Sequence, residues 1–264
     1  MMESVFTQHF FSSAAEANAE QELSLPILVT KIIDISTAHA NSLGIGNPAM
    51  EHLNAGWILS RLTIEMTRYP EVNEQYSIST WVEVWNRHFS VRNYSVEDGS
   101  GNVIGYARSV WMILRTTDRT NVGLSHLTLP DGMCEGNPVP IEPQAKHCRI
   151  FPPSASPDSA SRDLVANHPP FRYTFRYSDI DFYRHVNTVR YILLLLNRFS
   201  LEDFDQTFPS RFELSFLHEA VYGEEVEILR ADDAENPLSS AISIVNAAER
   251  TPVLFARFIR KPRP

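Results

Sequence analysis

The chain has only two cysteines among 264 residues, Cys134 and Cys148, too few for a disulfide framework. Seven of its histidines (His9, His39, His52, His88, His126, His147 and His168) show no paired ligand spacing. No metal and no cofactor are therefore expected. There is no glycine-rich phosphate loop and no G-x-S-x-G elbow, which excludes two common enzyme architectures. Long apolar runs are also missing. The longest aliphatic run, Ile192 to Leu196, is five residues, against the ~20 needed to cross a bilayer, so no membrane span is expected. The first residues lack a basic stretch followed by a sustained apolar one, so no signal peptide is expected and the protein is placed in the cytoplasm. Positive charge is short as well. Twenty-three Lys and Arg face 32 Asp and Glu, a net charge of −9, which argues against binding nucleic acid.

What is present suits a packed globular protein: 43% of residues are hydrophobic, enough for one large domain or two of ordinary size. Residues 131–170 hold eight of the 17 prolines, interleaved with Ser154, Ser156, Ser159 and Ser161. Such a segment cannot be a continuous helix or a central strand, so it is read as a connector between halves at 1–130 and 171–264. In the first half, 49–62 is predicted as a helix from the spacing of Met50, Leu53, Trp57, Ile58 and Leu62. Strands are predicted at 62–67, 76–85, 88–97 and 103–115, with a hairpin turn at Asp98 to Asn102. In the second half a strand near Phe171 precedes a helix from about His185 to Phe199. Strands follow at 211–220, 225–231, 241–246 and 253–260. A shift of 150 residues superposes Arg61 on Arg211, Glu74 on Glu224 and Ile78 on Ile228, and sets Tyr69 opposite Glu219. The apolar phase agrees throughout this overlay. The pattern predicts a duplicated α+β architecture, one helix wrapped by an antiparallel sheet in each half.

Function concentrates in residues 178–191. There an aromatic strand meets a polar turn bearing Asp181 and His185, and the turn runs into an apolar helix. A carboxylate, an imidazole and free N–H groups at a helix start are what hydrolysis of an activated acyl group requires. The plain alternative is that Asp181 only caps the helix and His185 is an ordinary surface residue.

The segment Trp57 to Pro70, the run Ile78 to Val82, the run Ala107 to Leu114 with Thr117 to Arg119, and the turn Ser178 to Tyr191 together resemble the plant-type acyl-acyl-carrier-protein thioesterases. The resemblance is to a bacterial-type member, without a plastid-targeting extension. It implies two tandem hotdog domains: an N-terminal one that supplies the acyl-chain pocket and a C-terminal one that is catalytic. It implies hydrolysis of a fatty acyl thioester of acyl carrier protein. Asp181, His185 and Glu219 match the family's catalytic positions. Tyr183 stands where the family has Asn, and Ala220 where many members carry Cys. With no Cys there, direct attack by water is the expected route.

On this reading Glu219 takes a proton from water, and His185 orients that water or protonates the departing thiolate. Asp181 holds His185 in one tautomer, and N–H groups at the helix start receive the oxyanion. Trp57, Ile58, Ile64, Met66 and Trp81 are candidates for lining the acyl slot. The strongly acidic carrier protein is expected to dock on bases drawn from Arg172, Arg176, Arg184, Arg190, Arg198, Arg257, Arg260, Lys261 and Arg263. Two alternatives stay open, an acyl-CoA thioesterase and a non-catalytic acyl-thioester-binding protein disabled at Tyr183. Oligomeric state is left open, a dimer included.

Overall fold

The structure, a computed structural model, describes residues 3–144, 148–153 and 164–263. Part of the proline- and serine-rich connector, 145–147 and 154–163 with His147, lies outside the described residues. The chain forms two compact units, Met1–Glu142 and Pro143–Pro264.

The first unit contains β1 (Val5–Phe11), α1 (Leu25–Ser42), α2 (Asn47–Leu53), β2 (Ala55–Met66), β3 (Gln75–Trp85), β4 (Ser90–Asp98) and β5 (Val103–Arg115). Its strands lie in the order β1-β3-β4-β5-β2, every pair antiparallel. The turn from β4 to β5 falls at the hairpin read from the sequence, with the Asp98 carboxylate accepting the N–H groups of Ser100 and Asn102.

The helix predicted at 49–62 is not there. Residues 47–53 form one short helix, ended by Asn54 in the left-handed conformation (φ 48°), and 55–66 are strand. The misleading 3.6-residue spacing arises because Met50 and Leu53 lie on the short helix while Trp57, Ile58 and Leu62 lie on the strand that follows it. A register shift between Leu59 and Arg61 also breaks the alternation that would mark a strand. The central helix is instead α1, unpredicted, with Pro26 in its first turn. Leu25, Leu28, Val29, Ile32, Ile35, Ser36 and His39 form its buried face, the spacing of an amphipathic helix.

Polar contacts pin α1 to the sheet: Ser36 Oγ lies 2.7 Å from Tyr94 Oη, and His39 Nδ1 lies 2.7 Å from Arg92 Nη1. The guanidinium can only donate, so His39 accepts at Nδ1 and carries its proton on Nε2, which donates to Glu3 O at 2.9 Å. Burial, reinforced by the Arg92 charge, pushes the His39 pKa down to about 4. The folded state thus keeps His39 neutral, while the unfolded chain takes up a proton below its ordinary value near 6.5. Stability from this group is complete above pH 6.5 and is lost as pH falls toward 4. Its loss between pH 7.5 and 4.5 is expected to be roughly 2–3 kcal/mol. Urea unfolding of wild type and His39→Gln at both pH values checks this: the variant should lose less on acidification. An identical loss in both proteins would take His39 out of the account.

The second unit contains β6 (Ile150–Phe151), β7 (Leu164–Val165), β8 (Phe171–Thr174), α3 (Thr188–Leu196), α4 (Leu201–Gln206), β9 (Thr207–Phe216), β10 (Glu225–Asp232), β11 (Ser239–Asn246) and β12 (Pro252–Pro262). Its main sheet runs β8-β10-β11-β12-β9, the order of the first unit. One face packs around α3. On the other, Ile150 and Ala166 cover Leu229, Ala231, Ala241, Val245 and Phe255.

The duplication is therefore real in architecture, but it needs two shifts. A shift of 150 carries the starts of β2 to β5 to within two residues of those of β9 to β12. A shift of 163 carries the end of β1 onto that of β8 and the start of α1 onto that of α3. The 13-residue difference is the shorter helical passage of the second unit, where α3 has nine residues against 18 in α1. Each unit is a helix packed on a five-stranded antiparallel sheet, the hotdog architecture that the sequence implied.

Candidate active site

The turn between β8 and α3 is held by backbone bonds and by the carboxylates of Asp179 and Asp181. Asp181 N donates to His185 O at 2.8 Å and Arg184 N to Asp181 O at 3.0 Å, with Arg184 in the left-handed conformation (φ 67°). Asp179 buttresses the turn from beneath. Its buried carboxylate accepts Arg176 N (2.7 Å) and the Tyr173 hydroxyl (3.0 Å), and its carbonyl accepts Asn187 N (2.8 Å). Val186 N then donates to Ala220 O at 2.9 Å, and His185 bridges Val221. These bonds latch the turn onto the segment carrying Glu219.

The structure brings two of the three predicted catalytic side chains together. His185 Nε2 lies 3.7 Å from Glu219 Oε2, with the side chains 25% and 32% exposed. That separation exceeds a hydrogen bond, and such contacts commonly tighten only when substrate is bound.

Asp181 does something other than expected. Its Oδ1 accepts the backbone N–H groups of Tyr183 (2.9 Å) and His185 (3.1 Å), and the carboxylate makes no hydrogen bond to the imidazole. It shapes the loop that presents His185 and does not set the tautomer directly. Glu219 was expected on a strand, yet β9 ends at Phe216. Leu217 N and His218 N both donate to Val253 O, which breaks the ladder and leaves Glu219 in the passage beyond it. His218 is exposed and turns to Pro252 O at 2.7 Å.

The expected oxyanion donors also need correction. The helix starts at Thr188, capped by Asn187 Oδ1 accepting Val189 N at 2.9 Å, so His185 precedes it. The N–H groups of Asp181, Tyr183, Arg184, His185, Val186 and Asn187 are all committed within the protein. The turn has no ring of open donors among them.

Tyr183 is half-buried, its ring centroid 4.0 Å from that of Phe182, which is exposed. Tyr177, Phe182, Val221 and Tyr222 form an exposed apolar rim on the turn and on the segment it latches. Trp57 donates to Ile45 O (2.8 Å) and packs near Trp85, with Ile58 half-buried beside it in β2. Ile64 and Met66 are buried, and Met66 lies over Gly105, where a Cβ would collide with its sulfur. Trp81 donates to Asn137 O at 2.7 Å. Of the basic residues, Arg260 is buried against Asp203, Arg263 donates to Phe204 O and Arg198 to Pro169 O. Arg172, Arg176 and Arg184 remain exposed.

The sequence reading missed Tyr191. It is buried on α3, and its hydroxyl accepts Ala220 N at 3.1 Å, one residue from Glu219. Nothing in the local spacing marks this contact across 29 positions.

Family comparison covers both units. The acyl-ACP thioesterase N-terminal domain matches residues 3–125 and the acyl-ACP thioesterase C-terminal domain matches 165–254. The chain is 24% identical over 198 residues to a palmitoyl-acyl carrier protein thioesterase of Gossypium hirsutum, covering 71% of this chain and 45% of that protein. To an acyl-[acyl-carrier-protein] hydrolase of Cuphea viscosissima it is 26% identical over 243 residues, covering 86% and 55%. It spans about half the length of these curated relatives. Among solved structures, an acyl-ACP thioesterase from Bacteroides thetaiotaomicron superposes with a TM-score of 0.84 at 28% identity, covering 98% of each chain. The 12:0-ACP thioesterase from Umbellularia californica gives 0.81 at 18% identity over 100% of this chain and 96% of that one, a likeness of fold.

Proposed function

We propose, from the premise that this chain belongs to the acyl-ACP thioesterase family, that it hydrolyses the thioester of a fatty acyl-acyl-carrier-protein. The products are the free fatty acid and the carrier protein with its thiol restored. The observation that carries this reading is the approach of His185, presented by the turn, to Glu219 on the segment the turn is latched to. The Glu219 carboxylate takes a proton from water as the water oxygen bonds to the thioester carbon. The carbon–sulfur bond then breaks, and the sulfur leaves as thiolate or receives a proton from His185. Thiolate is a good leaving group at neutral pH, so one base and one modest acid are sufficient. Ala220 at the position after Glu219 removes any nucleophilic thiol from the site, which supports direct attack by water. A cytoplasmic location, where carrier-bound acyl chains would be met, belongs to the same reading.

The test is release of free thiol from a panel of C8 to C18 acyl-carrier-protein thioesters, with matched acyl-CoAs alongside. Rapid, chain-selective hydrolysis of the carrier-bound series is expected. Turnover of CoA esters alone would move the protein to a different substrate. Silence on both, with the protein folded, would favour the binding-only reading and point to Tyr183.

Docking adds a further expectation. The chain is acidic overall, so an acidic carrier must be drawn to local charge against the net field. Arg176 and Arg184, with the exposed rings of Tyr177, Phe182 and Tyr222, provide such a patch at the turn, whereas Arg172 faces Glu225 and Glu227. The kcat/KM on carrier-bound substrate should fall steeply with added salt, because exposed charges are screened over about 8–10 Å at physiological ionic strength. A flat salt response would exclude charge-guided docking.

A further inference from the structure

The two units repeat the active turn almost bond for bond. In the first unit Asn18 N donates to Glu22 O at 2.8 Å, as Asp181 N does to His185 O. Asn18 Oδ1 accepts Glu22 N at 2.9 Å, as Asp181 Oδ1 accepts His185 N. Gln21 is left-handed (φ 62°), as Arg184 is (φ 67°). Leu23 N donates to Pro70 O at 2.7 Å, as Val186 N donates to Ala220 O at 2.9 Å. Position by position, Asp181, His185 and Glu219 correspond to Asn18, Glu22 and Tyr69.

The bond that ties the helix to the Glu219 segment has no counterpart. In the second unit the Tyr191 hydroxyl accepts Ala220 N–H at 3.1 Å. In the first, the position of Tyr191 is held by Leu28, fully buried, and that of Ala220 by Pro70. Proline has no N–H and leucine no acceptor, so both ends of the bond are gone together. The first unit keeps the same turn and the same latch without it. The tether is therefore not what the fold requires. It occurs in the unit that carries a carboxylate at position 219.

From this difference we propose that Tyr191 is a positioning residue, whose bond to the Ala220 N–H aims the Glu219 side chain at the thioester. The proposal rests on the reading of Glu219 as the base. The peptide joining Glu219 to Ala220 is planar, so fixing its N–H fixes the backbone torsion that follows the Glu219 Cα. The Val186 N–H bond to Ala220 O then fixes the next peptide. Tyr191 is itself held in one orientation. Its ring meets those of Phe175 and Phe216 edge-on at centroid distances of 5.5 and 5.7 Å. Burial, with Glu224, Glu219 and Asp181 nearby, raises its pKa, so the hydroxyl stays neutral at working pH.

The test measures thiol release from an acyl-carrier-protein substrate by the full chain and its variants. Tyr191→Phe keeps the ring and removes the acceptor. Its kcat should fall roughly ten- to a hundredfold, the scale on which small misplacements of reacting groups act, with KM within about twofold, since the substrate contacts are untouched. Ala220→Pro copies Pro70 and removes the donor instead. It should lose kcat to a similar extent, and the double variant should be no worse than either single one, because the two act through one bond. Glu219→Gln, run in parallel, separates the two readings. If it keeps wild-type turnover, the reading of Glu219 fails and this proposal with it. If it is inactive while Tyr191→Phe or a folded Ala220→Pro keeps full kcat, the positioning role alone is overturned. Losses carried by KM, or losses that multiply in the double variant, overturn it as well.

Discussion

Glu219→Gln is expected to lower turnover of carrier-bound acyl thioester by roughly 10²–10⁴-fold, the usual contribution of a general base. Glutamine matches glutamate in size and still offers an oxygen to accept hydrogen bonds, but it cannot take a proton from water. The Glu219 side chain is 32% exposed and lies past the end of β9, outside the packed interior. The folding cost should thus stay within about 0.5 kcal/mol, with a melting shift of about 2 °C or less. KM should change little, because the carboxylate acts on water and not on the acyl chain or the carrier. A protein of unchanged melting temperature and wild-type turnover would remove Glu219 from the chemistry. Water attack would then need another base, and His185 and the Asp181 carboxylate are the groups the turn offers.

The sequence was most legible where one face of a strand meets the core and the other does not. β3 and β5 fall within two residues of where alternation and the Asp98 to Asn102 turn placed them. β2 fails because its bulge between Leu59 and Arg61 breaks the alternation, and its apolar residues, interrupted by Ser60, Arg61, Thr63 and Glu65, fall at a spacing that mimics a helix. The true central helix was passed over because Leu25–Ser42 is rich in β-branched residues, with Ile27, Val29, Thr30, Ile32, Ile33, Ile35 and Thr37. Tertiary burial decides there, and intrinsic propensity does not.

The site divides along a similar line. Asp181 and His185 were findable because a turn that folds on itself draws its residues from neighbouring positions. The carboxylate that approaches His185 came from the resemblance and from the 150-residue shift, not from spacing. Tyr191 needed the second shift of 163, which only the pairing of α1 with α3 establishes. A duplicated fold makes such contacts readable after the fact. Comparing the units isolates what one of them has added for chemistry from what both need to fold.

Asp181 supplies the second large effect, and the two obvious replacements should behave differently. Had the carboxylate oriented the imidazole by charge, an amide in its place would be nearly as damaging as outright removal. An aspartate-to-asparagine change of that kind costs about 10⁴ in a serine-protease triad. Here the carboxylate oxygen instead accepts the N–H groups of Tyr183 and His185. Asparagine can do the same, as Asn18 shows by accepting Glu22 N–H in the matching turn of the first unit. Asp181→Asn should therefore keep turnover within roughly tenfold of wild type. Asp181→Ala leaves both N–H groups unanswered and removes the brace from a loop that holds Arg184 at φ 67°. The His185 ring would then lose its fixed place opposite Glu219, and turnover should fall roughly a hundredfold. Steady-state kinetics of the two variants decides between the roles. Equal and severe losses would return Asp181 to an electrostatic role. A mild asparagine and a severe alanine would establish that its task is to hold the backbone from which His185 reaches the substrate.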